Sequence, residues 1–432
     1  MVEFAVELPV SCGEMSKPFP PGKSLSENTH GGDASVDNLP VLHLKKNEER
    51  RLMAGHLWVY SNEVNTAKSP MNQFTAGDIA VVHSSRGKAV AMAMVNPRSL
   101  ISARVYSYRR GEMLGAELLK RRIAAALSLR EMLYDKPCYR LVHGEGDWLP
   151  GLIVDRFGDI LVMQTNTAGM ERAQQEIIEA LCELLNPGGI YLRNNGSVRQ
   201  LEGLEDDEKC VFGDVPETTE LIENELKFTI PLHSGQKTGW FYDHRENRQL
   251  LARLSPGKRV LDAYCYLGAW GLNALAGGAR AVTAIDSSAT AIEGAGKNAT
   301  LNGFGDQWQG IKGDVTEQLK AMRRDGEKFD IVVLDPPAFI QRAKDKRKGL
   351  DKYRSVNAMA ANLLEPGGLL VSGSCSHHLS LTDLQRTVLH AGRQANYGTQ
   401  IIARGHQGPD HPVHAAIPES EYLKAIYARL IR

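Results

Sequence analysis

From Val41 to about Gly111, short apolar runs (LWVY, IAVVH, AVAMAMV and ISARVYSY) are separated by Gly, Asn, Pro and Ser turns. Runs of that length between breakers read as strands, and their close spacing predicts a small β-rich barrel. The stretch from Ala116 to Tyr134 sets Leu, Ile and Ala at helical spacing with Arg and Lys between them, an amphipathic helix. LPGLIVDRFGDILVMQTN reads as a hairpin turning at Phe157-Gly158-Asp159. Met170 to Leu185 then returns to the helical period until Pro187-Gly188-Gly189 stops it. From about Gln236 the order becomes RVLDAYCY, a helix, AVTAID, a second helix, FDIVVLD and GLLVSGSC. Strand and helix in alternation predict an α/β, doubly wound parallel sheet, whose ligands sit at the carboxyl ends of the strands. The chain therefore divides into a flexible extension rich in Gly, Pro, Ser and Asn (1–39), a barrel (40–115), a small central α+β domain (116–235) and the α/β domain (236–432).

Composition changes this picture little and charge changes it more. With 42% hydrophobic and 24% charged residues, 432 residues can fill two or three cores, which excludes wholesale disorder. No apolar run reaches the roughly 18 residues a membrane helix needs. The opening MVEFAVELPV also lacks the basic-then-apolar order of a secretory signal, so a cytoplasmic protein without a membrane partner is expected. Cys12, Cys138, Cys182, Cys210, Cys265 and Cys375 are scattered, with no C-x-x-C pair and no His at zinc spacing; neither disulfides nor metal are expected. The net charge is zero, yet Val41 to Arg140 carries 17 Lys+Arg against 8 Asp+Glu, and Leu141 to Gly235 carries 6 against 18. A basic N-terminal module can neutralise phosphates whatever the total charge. Lys45, Lys46, Arg50 and Arg51 are its candidate RNA contacts.

The first strand of the α/β domain ends in Asp262 and runs through Tyr264 and Cys265 to Gly268 and Gly271, a glycine turn opening a helix, where backbone can approach a ligand. Cys265-Tyr266-Leu267 stands where a dinucleotide turn would need its first glycine, so NAD is disfavoured. Asp286 closes the second strand, placed to accept hydrogen bonds from the ribose hydroxyls of an adenosine ligand. Asp314 follows the third, where it could accept from an adenine amino group. Each alone is as well explained as a helix cap. The ordered set Asp262, Gly268, Asp286, Asp314 and Asp335-Pro336-Pro337 matches the Rossmann-like class I pattern of S-adenosylmethionine (SAM) methyltransferases.

Asp335-Pro336-Pro337-Ala338-Phe339 follows the apolar strand IVVL, so its carboxylate emerges where a flipped base would lie and Phe339 could stack on it. Ser374-Cys375-Ser376 follows GGLLVSG and should face the same cleft. Cytosine C5 is a poor nucleophile, and a thiolate adding at C6 turns the ring into an enamine whose C5 can attack the SAM methyl. Nitrogen methylation needs no such thiol. Cys375 is therefore read as nucleophile and Asp335 as its catalytic partner, while Cys265, inside the cofactor turn, is read as packing.

At these residues the chain closely resembles the RlmI-like family of bacterial large-subunit ribosomal RNA (cytosine-C5) methyltransferases, from about residue 40 onward. Gly55-His56-Leu57-Trp58-Val59-Tyr60-Ser61-Asn62 resembles that family's PUA domain. Gly235-Gln236-Lys237-Thr238-Gly239, Phe241 to Arg248, Asp410-His411-Pro412 and Tyr422-Leu423-Lys424 are similar to it as well. The resemblance implies a PUA domain, a central α+β domain and a SAM-binding domain. It implies that Cys375 stands at the nucleophile's position and that Gln236 to Arg248, with Gln236, Lys237, Thr238, Tyr264 and Pro336 among the cofactor contacts, lines the cleft. The implied partner is large-subunit (23S) rRNA. A homodimer is left open, as are the roles of His377 and His411.

Arg342, Lys344, Lys346, Arg347, Lys348, Lys352 and Arg354 outnumber Asp345 and Asp351 just after the D-P-P turn, and a loop there could track phosphates beside a flipped nucleotide. Other readings remain: uracil-C5 methylation, methylation of an exocyclic amine (N6-adenine or N2-guanine), and a non-catalytic RNA-binding protein that retains SAM.

Overall fold

A computed structural model describes residues 38–432 apart from Ser234, Gln236 and Lys237. The expected extension before residue 38, and the cofactor assignments to Gln236 and Lys237, lie outside the described residues. Among the described residues no helix is long and apolar enough to cross a membrane.

The short N-terminal runs form a five-stranded sheet in the order Val41–His43, Asp78–His83, Ala89–Val95, Ile101–Ser107, Trp58–Tyr60. Its first pair is parallel and the others antiparallel. Leu42, Val59, Val82, Ala93 and Val105 fill the interior, and so does Ile417, which arrives from far along the chain and is fully buried among them.

The middle of the chain makes a second five-stranded sheet from Cys138–His143, Leu152–Phe157, Ile160–Thr165, Gly189–Asn194 and Asp207–Gly213. The expected hairpin is present: Phe157 pairs with Ile160 across Gly158, whose φ of 69° suits glycine. The helix expected from Met170 to Leu185 is instead two, Ala168–Arg172 and Gln174–Leu185. Gly169 is pressed on Met94 of the barrel so closely that a Cβ would lie 2.2 Å from its sulfur, while the longer helix packs on the Ala116–Leu133 helix. One straight helix cannot serve both contacts, and the chain kinks at Ala173. A hairpin, Thr218–Glu223 with Leu226–Pro231, follows; Asn224 and Glu225 both take positive φ in its two-residue turn. Its Phe228 and Ile230 are buried with Trp240 and Trp270 in the large core.

The α/β domain is labelled here β1 (Arg259–Ala263), α1 (Ala269–Ala276), β2 (Ala281–Asp286), α2 (Ala289–Leu301), β3 (Trp308–Lys312), α3 (Val315–Arg324), β4 (Phe329–Leu334), α4 (Lys346–Ala361), β5 (Leu364–Ser374), α5 (Leu381–Gln394), β6 (Gly398–Gly405) and β7 (Lys424–Ile431). The strand order is β3-β2-β1-β4-β5-β7-β6, parallel through β5, with β7 antiparallel to both neighbours. The central strands are covered on both faces, which is why they read as continuous apolar runs rather than alternating ones. Strand order reverses between β1 and β4, the place where an open α/β sheet leaves a crevice.

Two further expectations need revision. β5 begins at Leu364, earlier than GLLVSG suggested, because a bulge over Glu365 to Gly368 keeps the segment in register with β4. The basic stretch after the D-P-P turn is not a loop: one 3-10 turn, Ala343–Asp345, leads directly into α4, whose Tyr353, Val356 and Ala360 are buried at helical spacing.

Candidate active site

The cleft begins with strain. After β1, Tyr264 and Tyr266 take left-handed φ of 67° and 48°, a conformation non-glycine residues rarely hold without support. The support comes from β2, where the Ile285 carbonyl accepts from the Tyr264 and Cys265 amides at 2.9 and 3.0 Å. Asp286 accepts from Tyr266 N at 3.0 Å and from Ser288 N at 2.9 Å. These bonds hold the turn open over a cleft of about 750 Å3, a size that suits a cofactor-scale ligand.

Tyr264, Asp286, Asp314, Asp335, Pro336 and Cys375 all line that single cleft. Asp314 also caps α3, accepting from Glu317 N at 3.1 Å, so the cap reading and the lining reading are both true of it. Three other expected cofactor contacts have structural partners of their own. Thr238 is fully buried and donates to Asp155 Oδ2 at 2.5 Å, tying the Trp240 to Arg248 segment to the middle sheet. Gly268 has φ 83°, and a Cβ there would lie 2.8 Å from the Trp308 ring, so close helix–strand packing requires glycine. Asp262 is fully buried and accepts from Gly271 N at 2.9 Å, while its Oδ1 has no hydrogen-bond partner among the described residues. Burial, with Asp335 and Asp286 nearby, pushes its acid up to about 7 against the pull of the Gly271 amide.

Asp335 is fixed from two sides. Trp270 Nε1 donates to Oδ2 at 3.0 Å, and His244 Nε2 lies 3.3 Å from Oδ1. Burial opposes its charge, but His244 and the Trp270 N–H prevail and hold the carboxyl below the usual carboxylate range. At neutral pH it is an acceptor.

Cys375 is half-buried and outside any disulfide. The residues on either side of it are clamped: Tyr353 Oη of α4 lies 2.8 Å from both Ser374 Oγ and Ser376 Oγ, and Ile340 N donates to Ser376 Oγ at 3.3 Å. With its neighbours held inward, Cys375 is presented to the cleft. Lys424 pairs with Ser374 across the β5–β7 ladder, and its Nζ donates to Ser376 O at 3.0 Å and Tyr422 O at 2.8 Å. Burial lowers its amine while Cys375 pulls the other way. The second thiol differs: Cys265 is buried, its Sγ lies 3.7 Å from the Tyr266 carbonyl, and burial pushes it well above the ordinary range.

The candidate RNA contacts separate as well. Lys45, Lys46 and Arg50 are exposed on the barrel, and Arg342, Lys346, Arg347 and Lys348 are exposed at the start of α4, Lys346 reaching Asp383 at 2.9 Å. Arg51 lies 2.6 and 2.8 Å from the two Glu63 oxygens and 4.7 Å over the Tyr60 ring, which makes it a clamp within the barrel. His411 is buried 2.8 Å from Asp410. Asp410 in turn accepts from Arg140 N at 3.0 Å and, through its carbonyl, from Arg130 at 2.7 Å, so D-H-P joins the α/β domain to the middle sheet. His377 is exposed beside His378.

Individual sequence reasoning missed His244, Trp270, Tyr353 and Lys424. His244 and Lys424 stand out in the sequence only as members of family-like stretches. Tyr353 and Trp270 look like ordinary helix-core residues until the fold brings them to Ser374 and Asp335.

Comparison with known proteins adds an independent line. A family model described as a PUA-like domain matches residues 42–108, and one described as an S-adenosylmethionine-dependent methyltransferase matches residues 204–384. The chain is 36% identical over 397 residues to "Ribosomal RNA large subunit methyltransferase I" of Tolumonas auensis, covering 90% of this chain and 99% of that one. It is 35% identical over 395 residues to the protein of the same name from Erwinia tasmaniensis, again covering 90% and 99%. Among solved structures, a SAM-dependent methyltransferase from Streptococcus mutans superposes with a TM-score of 0.77 at 20% identity, over 90% of this chain and all of that one. A methyltransferase complexed with SAH gives 0.78 at 20% identity with the same coverage. The structural likeness supports the fold, and the sequence likeness carries the family.

Proposed function

The chain belongs to the ribosomal RNA large subunit methyltransferase I family, and from that premise we propose that it methylates C5 of a cytosine in large-subunit rRNA, in the cytoplasm, with Cys375 as covalent nucleophile. The observation that carries the reading is that Cys375 and Asp335, at the ends of adjacent parallel strands, line one cleft with Asp286. SAM, the cofactor of this methyltransferase domain, supplies the electrophilic methyl group.

Asp286 would accept from the ribose hydroxyls, because each carboxylate oxygen has a lone pair left after the Tyr266 and Ser288 amides. Asp314 would accept from the adenine amino group, with Tyr264 and Pro336 forming walls beside it.

Cys375, as thiolate, adds to C6, and the electrons of the C5–C6 double bond make C5 nucleophilic. C5 takes the methyl group, then loses its proton while the sulfur–C6 bond breaks, which restores the ring and the thiolate. Lys424 places positive charge beside the strand end that bears the thiol, and such a neighbour favours the thiolate. Asp335, held ionised, accepts from a base amino group. That supports cytosine, whose N4 donates, over uracil, whose O4 would face the carboxylate as a second acceptor. Lys45, Lys46 and Arg50, with Arg342, Lys346, Arg347 and Lys348 at the cleft's α4 rim, would neutralise flanking phosphates.

The test is RNA carrying 5-fluorocytosine at the target. Fluorine cannot leave C5 as a proton, so elimination stalls and a protein–RNA adduct should survive denaturing electrophoresis. Nucleoside analysis of unmodified rRNA should show 5-methylcytosine. No adduct, with a methylated exocyclic amine as product, would replace this mechanism by the amino-group one.

A further inference from the structure

Away from the cleft, the barrel, the middle sheet and the loop between β6 and β7 meet at a cluster of rings. Trp148 and Tyr108 are 39% and 37% exposed, large fractions for their size, and stand edge to face with centroids 6.2 Å apart. Behind Trp148 lies His414, buried, at 4.9 Å. Both rings are held in place: Tyr108 Oη donates to His56 O at 3.0 Å, and Arg122 donates to the Trp148 carbonyl. Trp148 keeps a left-handed φ of 61° there.

The surroundings are cationic. Exposed Arg109 and Arg110 follow Tyr108 directly, Arg121 and Arg122 stand on the neighbouring helix, and the carboxylates nearby are each paired, Glu112 with Arg121, Glu145 with Arg104 and Asp147 with Arg130. Exposed aromatic faces beside guanidinium groups suit unpaired bases on a phosphate backbone, because every base has a face to stack and every phosphate a charge to neutralise. The cluster also shares a loop with the active site. The loop that carries His414 also carries Leu423, which lines the cleft, and Tyr422, whose ring stacks on His143 at 6.1 Å.

We propose that Trp148 and Tyr108 form a stacking platform for unpaired bases of the RNA strand flanking the target nucleotide; this rests on the RNA methyltransferase reading above. Neither residue touches the reacting atoms, so the platform acts on RNA capture and not on the chemical step.

Fluorescence anisotropy with a labelled single-stranded 12-nucleotide oligoadenylate tests it, beside a duplex of equal length and steady-state methylation of rRNA. Trp148→Ala should weaken the single strand by roughly 5- to 150-fold, the range for loss of one stacked base, and raise KM for rRNA with kcat kept. Trp148→Phe should recover most of the affinity. SAM affinity should stay at the wild-type value in both variants, which separates loss of the platform from loss of the fold. Wild-type affinity and KM in Trp148→Ala would overturn the platform alone, and so would equal weakening of single strand and duplex. Wild-type protein that neither binds these RNAs nor methylates rRNA would overturn the functional reading together with the platform.

Discussion

Cys265 follows β1 and Cys375 follows β5, so both thiols stand at the carboxyl edge of one sheet and both line one cleft. Their surroundings are opposite. Around Cys265 the chain is buried, negative charges lie nearby at Asp262 and Asp286, and both features push the thiol up. Around Cys375 the strand end is half-exposed, a lysine amine is fixed on the adjacent residue's carbonyl, and two serines are pinned so that the cysteine alone turns outward. Position on the sheet edge thus selects candidates for chemistry, and local charge and solvent decide between them.

The strongest way to break this comparison is to remove each thiol. Cys375→Ala should lower methylation by about 10^4-fold or more, the scale of losing a covalent nucleophile, and abolish the 5-fluorocytosine adduct while SAM still binds. Cys265→Ala should keep the adduct; an adduct that required Cys265 and not Cys375 would reverse the assignment. Next in size, Asp335→Asn should slow turnover by roughly 10^2- to 10^3-fold yet still trap some adduct, because the nucleophile remains. If trapping vanishes entirely, Asp335 shares in forming the sulfur–carbon bond.

Smaller effects probe the β1 side. Asp286→Ala should weaken SAM by roughly 1.5–3 kcal/mol, since a charged acceptor is lost, with a modest fall in melting temperature because Tyr266 loses its latch. Calorimetry giving wild-type affinity would remove Asp286 from the cofactor site. Asp262 supplies a pH test. Its folded pKa of about 7 lies above the ordinary value of 3.8, so its contribution to stability is full at low pH and is lost as pH rises through 7. Asp262→Asn should therefore gain stability relative to wild type between pH 5 and pH 8, by roughly 1–3 kcal/mol. Parallel denaturation profiles across that range would show that Asp262 is not held neutral.

Much of this was legible because it is periodic or local. The apolar runs IVVL and GGLLVSG announce strands buried on two faces, and the polar residues that end them, Asp335 and Cys375, must then lie on one edge. What escaped depends on contacts between distant segments. The packing of Trp308 against Gly268 is one such contact. The hydrogen bond from the Thr238 hydroxyl to Asp155 of the middle sheet is another. The basic run after Pro337 reads as a loop because its charges hide the helical period that Tyr353 and Val356 reveal only when buried.

Ile417 belongs to the loop between β6 and β7, yet its side chain fills the barrel of residues 41–107. Chains fold during synthesis, N-terminal parts first. The barrel is among the first parts made, but its interior stays one side chain short until the middle sheet and six of the seven strands of the catalytic sheet have been translated. A ribosome that stalls or terminates before residue 417 therefore releases a barrel with an incompletely filled core. Such truncated products should be less stable and more open to proteolysis than an autonomous barrel would be.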